Sequence, residues 1–200
     1  MAFLDIIIKT SEDGMVLSDK EIQEEVDTFM FAGHDTTASS SAMTLYLLAL
    51  DRSTQRKCQE ELDNIFDASD RAATSTDLSN MSYLTGSVPG IGRFTSEEVE
   101  IEGNVIPAGT EIALQIMILH RDPEYFPDHE KFDPNRFLDS EVLNRHPYAY
   151  TPLSAGRKNC IGQKFAMMEE KIILSSILMR FNLLAEVEIN DMLIAPELLY

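Results

Sequence analysis

The strongest regular pattern of apolar and polar positions lies in the first quarter of the chain. Ser18 and Glu21 have the spacing of a capping box, in which a hydroxyl and a carboxylate satisfy opposite backbone N–H groups at a helix start. Apolar and small residues then recur at intervals of three and four as far as Leu47. This spacing predicts one helix over about Asp19–Leu50, roughly 48 Å long. Since most globular helices have about 10–14 residues, we expect this one to run through a domain.

The middle of the chain predicts shorter elements. Residues 54–66 fit a second helix with one charged face, and the Ser/Thr/Asp-rich residues 67–80 are typical of a loop. Two short apolar runs, 99–101 and 104–106, flank a Glu-Gly pair and indicate a β-hairpin. The apolar run 111–119 is compatible with a strand or a helix, since periodicity does not separate the two over so few residues.

The last third of the chain predicts an irregular segment followed by a helix. Residues 122–152 contain five prolines, so we expect a meandering but ordered connection. A helix is predicted over residues 161–180, with four apolar residues on its buried face: Phe165, Met168, Ile172 and Ile173. Together the patterns predict a mainly α fold with a small β-hairpin region.

The charge of the chain limits its partners. A formal net charge of −18 argues against binding to nucleic acid, since phosphate recognition requires clustered Lys and Arg. Residues 151–180 differ from the rest, because they hold five basic and two acidic residues, a balance of +3. A basic segment in an acidic chain suggests an acidic ligand or partner there, and a solvated helix face is the alternative.

Cysteine and histidine are few. The chain has two cysteines, Cys58 and Cys160, and we expect both to be reduced, as in an intracellular protein. The four histidines lack metal-ligand spacing, so we expect them to be surface or core polar residues: His34, His120, His129 and His146.

The chain shows no sign of a membrane anchor. Residues 1–9 are apolar but carry Asp5, and they lack the basic start and the cleavage site of a secretory signal. No apolar run approaches the roughly 20 residues of a membrane span. If produced as written, the chain is expected to be unanchored and therefore cytoplasmic.

The densest candidate chemistry lies in residues 152–162, which lead into the last predicted helix. Glycine at Gly156 and Gly162 lets backbone approach a flat ligand, and Gly162 leaves no side chain against the Cys160 sulfur. A cysteine at a helix N-terminus lies in the positive end of the helix dipole, which favours the thiolate that a metal binds. A buried free cysteine is the alternative, and it is the commoner state of an isolated Cys.

A second group of candidate residues lies midway along the long helix. The residues are Gly33, Asp35 and Thr36. Gly33 has no side chain, Asp35 supplies a carboxyl group and Thr36 supplies a hydroxyl group. A hydroxyl that bonds the carbonyl one turn back loosens a helix, and a groove there would place Asp35 and Thr36 for proton delivery. The alternative is a regular helix whose hydroxyls pack against neighbours.

The segment around Cys160 resembles the haem loop of the cytochrome P450 family, because Gly156, Cys160 and Gly162 stand at the family's spacing. The resemblance implies a haem (iron-protoporphyrin IX) whose iron is bound by the Cys160 thiolate. It also implies that Lys158, where the family usually has arginine, pairs with a haem propionate as a point charge. Leu153 replaces the aromatic residue with which the family's loop begins.

Residues 25–37 are similar to the signature of the fatty-acid-hydroxylating family 4 members, which implies the proton-delivery roles of Asp35 and Thr36. Many of those members have a glutamate, esterified to the haem, where Ala32 stands. We therefore expect a non-covalent haem apart from the thiolate bond. Residues 87–93 resemble the family's turn whose arginine, here Arg93, meets a propionate, and Arg136 lies in a match to the loop of the core ion network.

The resemblance implies a monooxygenase that hydroxylates a small apolar substrate, such as a fatty acid, with O2 and electrons from an NADPH-dependent reductase. It implies a place at the endoplasmic reticulum membrane. It covers only the C-terminal part of the family's fold, as one incomplete domain over residues 1–200. Within it, residues 19–50 would be the oxygen-groove helix, and residues 151–180 the haem-thiolate loop with its following helix.

An internal difference from the family favours a second interpretation. The run ending at Leu84 resembles the approach to the family's Glu-x-x-Arg helix, yet no arginine of the chain has a glutamate three residues before it. Arg136 is then expected to lack its carboxylate partners, which is costly for a buried charge. The alternative function is therefore a shortened, non-catalytic member or a splice or gene-model product, at most a weak haem- or reductase-binding module.

Overall fold

The computed structural model describes residues 3–12, 17–67, 69, 71, 73–74, 77, 91–138, 142, 144–188 and 191. The chain groups into two compact units, Met1–Ser40 and Ser41–Tyr200. The prediction of one domain over residues 1–200 stays a prediction. Within the described residues, no helix is both long enough and apolar enough to cross a membrane.

The first unit contains helix α1 (Phe3–Glu12) and most of helix α2 (Asp19–Leu50), which continues into the second unit. The predicted capping box is confirmed, because the Ser18 N–H donates to Glu21 Oε2 at 2.8 Å and the Glu21 N–H donates to Ser18 Oγ at 3.3 Å. The bond from the Ser18 backbone lowers the pKa of Glu21. Helix α2 has 32 residues, with the predicted bounds.

Helix α3 (Arg52–Phe66) confirms the second predicted helix and begins two residues earlier than expected. The helix begins earlier because Asp51 caps it: the Asp51 carboxylate accepts from the N–H groups of Ser53 and Thr54. The predicted loop over residues 67–80 and the region around Leu84 lie largely outside the described residues.

The core of the second unit lies between α3 and helix α5 (Gln163–Leu178). Its fully buried side chains come from the end of α2, from α3 and from α5: Leu48, Cys58, Leu62, Phe66, Leu174 and Leu178. The chain after α5 is held by Gln55, whose amide donates to the carbonyls of Leu48 and Leu183 and accepts from the Leu183 N–H. This buried amide has backbone partners on both of its ends, as a buried polar group requires.

The predicted buried face of α5 was wrong. Phe165 is 68% exposed, and Met168, Ile172 and Ile173 are also exposed, whereas Leu174 is fully buried. Together with Leu174, the buried residues of the helix are Glu170, Ser175 and Leu178. Apolar residues occur on more than one face of α5, so their spacing did not identify the face that packs on α3.

The β region consists of two antiparallel pairs. Strand β1 (Ile91–Phe94) pairs with β4 (Glu111–Leu114), and β2 (Val99–Ile101) pairs with β3 (Asn104–Ile106), which confirms the predicted hairpin. The run 111–119 contains both of the alternatives, because helix α4 (Ile116–Leu119) follows β4. The mainly α fold with small sheets is therefore as predicted.

Residues 122–138 and 144–152 are irregular, as expected, apart from a 3-10 turn at Pro134–Phe137. Arg136 lies in that turn, and its guanidinium donates to the backbone carbonyls of Pro127 and Asp128. Backbone carbonyls, rather than carboxylates, thus accept from these two guanidinium nitrogens.

Candidate functional site

The candidate site is the cysteine loop, defined as residues 151–162, which leads into α5. The loop is closed by the Cys160 N–H, which donates to the Leu153 carbonyl at 3.1 Å. Ser154 and Gly156 both have left-handed backbone, with φ of 66° and 77°. A 3-10 turn over Gly156–Lys158 then directs the chain to Cys160, and Gly162 caps α5.

The two cysteines have opposite environments. Cys160 is exposed and free, whereas Cys58 is free but buried in the core. Burial raises the pKa of the Cys58 thiol to about 12, so it stays protonated. A Cβ at Gly162 would lie 3.9 Å from Cys160 Sγ, so the glycine leaves one side of the sulfur open. Within the described residues, Cys160 belongs to no cluster of three or more His, Cys, Asp or Glu that would hold a metal.

Arg93 joins strand β1 to the cysteine loop. Its Nη2 donates to Ser154 Oγ at 2.8 Å and to the Lys158 carbonyl at 3.0 Å, and its Nη1 donates to the Gly92 carbonyl. These bonds use three of the five N–H groups of a guanidinium. The structure thus brings together Arg93 and the loop residues that were predicted as one site.

An open cavity of about 380 Å³ lies beside this junction. Arg93, Ser154 and Ala155 line one part of it, and the rest of the lining is mainly apolar: Ile91, Leu114, Ile116, Leu119 and Tyr148. An apolar cavity with a cation at its wall suits an apolar ligand that carries a carboxylate.

The remaining predicted residues lie on α2, in the unit Met1–Ser40, whereas the loop lies in Ser41–Tyr200. Gly33, Asp35 and Thr36 are exposed, and no atom would contact a Cβ at Gly33 within 4 Å. Thr36 Oγ1 donates to the Ala32 carbonyl at 2.5 Å, which is the expected bond to the preceding turn. Thr37 is instead buried, and its hydroxyl has no partner within the described residues.

Two residues of the site were not predicted from the sequence. Ser154 accepts from Arg93, and His120 Nε2 accepts from the Thr151 N–H at the start of the loop, at 3.0 Å. Ser154 had no distinctive spacing. His120 stands at the end of an apolar run next to an arginine, but no local signal connects it with a residue 31 positions later.

We expect the substitution Gly156→Ala to destabilise the chain by about 1–2 kcal/mol, because a Cβ is strained at a φ of 77°. The matched control is Gly162→Ala, whose φ of −83° suits alanine and whose expected cost is about 0.5 kcal/mol for a poorer helix cap. Urea denaturation followed by circular dichroism measures both. Equal losses in the two variants would contradict a backbone role for Gly156.

We expect Arg93→Lys to lower stability by about 1–2 kcal/mol, since one ammonium cannot replace bonds to both Ser154 and Lys158. The control is Arg121→Lys, because Arg121 forms an exposed ion pair with Glu130 and such pairs contribute little. Limited proteolysis at Arg157 and Lys158 should become faster only in the Arg93 variant. Unchanged cleavage there would show that Arg93 does not hold the loop.

Comparisons of the sequence with known proteins show its family. A family model described as Cytochrome P450 matches residues 1–199. Cytochrome P450 4c3 of Drosophila melanogaster is 43% identical over 210 residues, covering 100% of this chain and 39% of the relative. Cytochrome P450 4V2 is 50% identical in Rattus norvegicus and 49% in Homo sapiens, in both cases over 90% of this chain and 36% of the relative. The chain thus spans less than two fifths of the length of these curated relatives. It belongs to the cytochrome P450 family, as a partial, mainly α member of the family 4 type.

Proposed function

We propose that the chain is the haem-thiolate part of a monooxygenase that hydroxylates a small apolar substrate, such as a fatty acid. O2 and electrons from an NADPH-dependent reductase would be the other requirements. The observation that carries this proposal is the exposed Cys160 at the start of α5, in a loop that Arg93 bonds at Ser154 and Lys158.

The residues present fit a haem, the cofactor that the family implies. The Cys160 sulfur is exposed, and it lies near a helix N-terminus, where the dipole favours thiolate. The remaining N–H groups of Arg93 suit a propionate, and the apolar cavity beside it suits a porphyrin edge. When bound, haem supplies an iron at which O2 is activated, and a thiolate ligand favours O–O cleavage.

In this proposal Asp35 and Thr36 deliver protons. Both are exposed, as groups that exchange protons with water need to be. The Thr36 hydroxyl proton is engaged with the Ala32 carbonyl, so the hydroxyl must rotate away from that carbonyl before it can donate elsewhere. Gly33, one turn before Thr37, leaves open space on the helix surface, and a bound molecule would occupy that space.

The reductase would dock on the basic part of the chain. Arg157, Lys158 and Lys164 are exposed around the cysteine loop and the start of α5, and their charge suits an acidic partner surface. The corresponding location would be the endoplasmic reticulum membrane, by the resemblance to the family.

A second function, a shortened and non-catalytic family member, is favoured by Arg136. Its guanidinium contacts backbone carbonyls, and no arginine of the chain follows a glutamate by three residues. The match to Cytochrome P450 4c3 extends over 210 residues although the chain has 200. The relative therefore has at least ten residues opposite which this chain has none.

One experiment separates the two functions. The purified chain is titrated with haemin, reduced and exposed to CO, and its absorption spectrum is recorded. A red-shifted Soret band, typical of thiolate-bound haem, followed by reductase-dependent hydroxylation of a fatty acid, would support the monooxygenase. A spectrum of unbound haem would favour the non-catalytic form. Sequencing the transcript between the codons for Leu84 and Ser87 then tells whether the missing helix is encoded.

A further inference from the structure

His120 is bonded to the start of the cysteine loop. Its ring nitrogen Nε2 accepts a hydrogen bond from the Thr151 N–H, with 3.0 Å between the nitrogens. Thr151 is only 8% exposed, so little water is available to replace that bond. A buried backbone N–H without a partner is costly, and the imidazole is therefore part of what makes this loop conformation stable.

The bond at Thr151 extends into the loop through a series of further contacts. The Thr151 carbonyl accepts from the Ser154 N–H at 3.1 Å, and Ser154 Oγ accepts from Arg93. The Leu153 carbonyl, between these two residues, accepts from the Cys160 N–H. His120 and Arg93 thus hold the same short stretch from two sides, and that stretch is bonded directly to Cys160.

The ring of His120 is held in place by aromatic neighbours. Its centroid lies 4.8 Å from that of Tyr150 and 5.7 Å from that of Phe126. The Arg145 guanidinium lies 4.4 Å above the Phe126 ring. Burial, and then the positive charge of Arg145, lower the pKa of His120 below its ordinary value of 6.5.

Besides Arg145 and the Tyr150 phenol, the charged or titratable groups that share a cavity with His120 come from residues 121–136. They line, with His120, an open cavity of about 360 Å³: Arg121, His129, Glu130, Lys131, Asp133 and Arg136. Of the charged groups around the ring, Arg145 is the one whose charge lowers the pKa of His120.

We infer that His120 is a positioning residue for Cys160. The neutral ring, with its proton on Nδ1, holds the Thr151 N–H and so keeps the loop in the conformation that presents the sulfur. A protonated ring has two N–H donors and no acceptor, so acidification releases Thr151 and loosens the loop. Only the consequence for haem rests on the proposed function. The bond itself belongs to this chain with or without a ligand.

Hydrogen–deuterium exchange of the haem-free chain tests the inference, with the Thr151 amide as probe and rates corrected for the intrinsic effect of pH. Protection should be full at pH 6.5 and above and should decline only at more acidic pH, because the pKa of His120 lies below its ordinary value of 6.5 and the ring is neutral above that lowered pKa. Above pH 6.5, where the wild-type bond is intact, His120→Leu should raise exchange roughly tenfold, and the corrected rate of this variant should not depend on pH. His120→Gln should restore protection, since its Oε1 accepts where Nε2 does, and should remove the pH dependence.

The control is His146→Leu. His146 also accepts a backbone N–H, but the donor is Tyr148, only two residues later in the chain, and the bond is exposed to solvent. This variant should leave Thr151 exchange unchanged. Equal exchange in the wild-type, Leu and Gln chains would overturn the inference, as would a Gln variant that behaves like Leu. Loss of the thiolate-type CO spectrum in the Leu variant and its recovery in the Gln variant would extend the role to haem. If exchange follows the expectation but no variant gives that spectrum, the proposed function fails and the positioning role stands.

Discussion

Replacing Cys160 with histidine is expected to abolish the thiolate-type spectrum of the haem-loaded chain completely. Histidine is a good ligand for haem iron but supplies a neutral nitrogen, so the red-shifted Soret band of the reduced, CO-bound form should disappear while haem is still retained. Cys160 is exposed, so the substitution leaves no cavity in the core. The measurement is the CO difference spectrum together with the haem content after gel filtration.

The matched control is Cys58→Ala, because Cys58 is the other cysteine of the chain. It should keep the thiolate-type spectrum and lose about 1 kcal/mol of stability for a buried atom. Without haem, a maleimide should label Cys160 in the native chain. Cys58, buried and with its pKa raised to about 12, should react only after unfolding. A red-shifted band that survives Cys160→His and disappears with Cys58→Ala would overturn the assignment of the ligand.

Leu174→Ala is expected to destabilise the second unit by about 2–5 kcal/mol, the range for removing a buried leucine side chain. Leu174 is fully buried in the cluster that joins the end of α2, α3 and α5. Truncation there removes contacts with several elements at once and leaves a cavity that those elements fill only in part. Urea denaturation followed by circular dichroism measures the loss as a lower midpoint.

Phe165→Ala on the same helix is the control, and it tests which face of α5 is buried. Phe165 is 68% exposed, so its truncation should change stability by no more than about 0.5 kcal/mol. The periodic pattern alone would have predicted a loss as large as that of Leu174. Equal losses in the two variants would contradict the observed orientation of the helix.

The elements that were predicted correctly are those that depend on neighbouring residues. Ser18 and Glu21 are three positions apart and bond each other's backbone, so these two residues were enough to predict the start of α2. The hairpin between β2 and β3 follows from Glu102 and Gly103, which both have left-handed backbone. The spacing of glycines around Cys160 identified the candidate loop for the same reason, since its turn conformations are local.

The parts that were missed depend on residues far apart in the sequence. His120 and Thr151 are 31 residues apart, and Arg93 is separated from Ser154 and Lys158 by 61 and 65. No periodicity encodes such pairs, because they form only when separate elements are packed together. The buried face of α5 is a similar case, because its apolar residues occur on more than one face.

For this protein the sequence by itself determined the long helix α2, the hairpin and the family to which the cysteine loop belongs. Each of these results from a local requirement: helical period, turn conformation or the spacing of glycines around a cysteine. Only the tertiary structure decided that Cys160 is exposed while Cys58 is buried, and that Arg93 and His120 hold the loop from two sides. The physical reason is that burial and long-range hydrogen bonds depend on which elements pack together. One pattern of apolar and polar residues is compatible with several such packings.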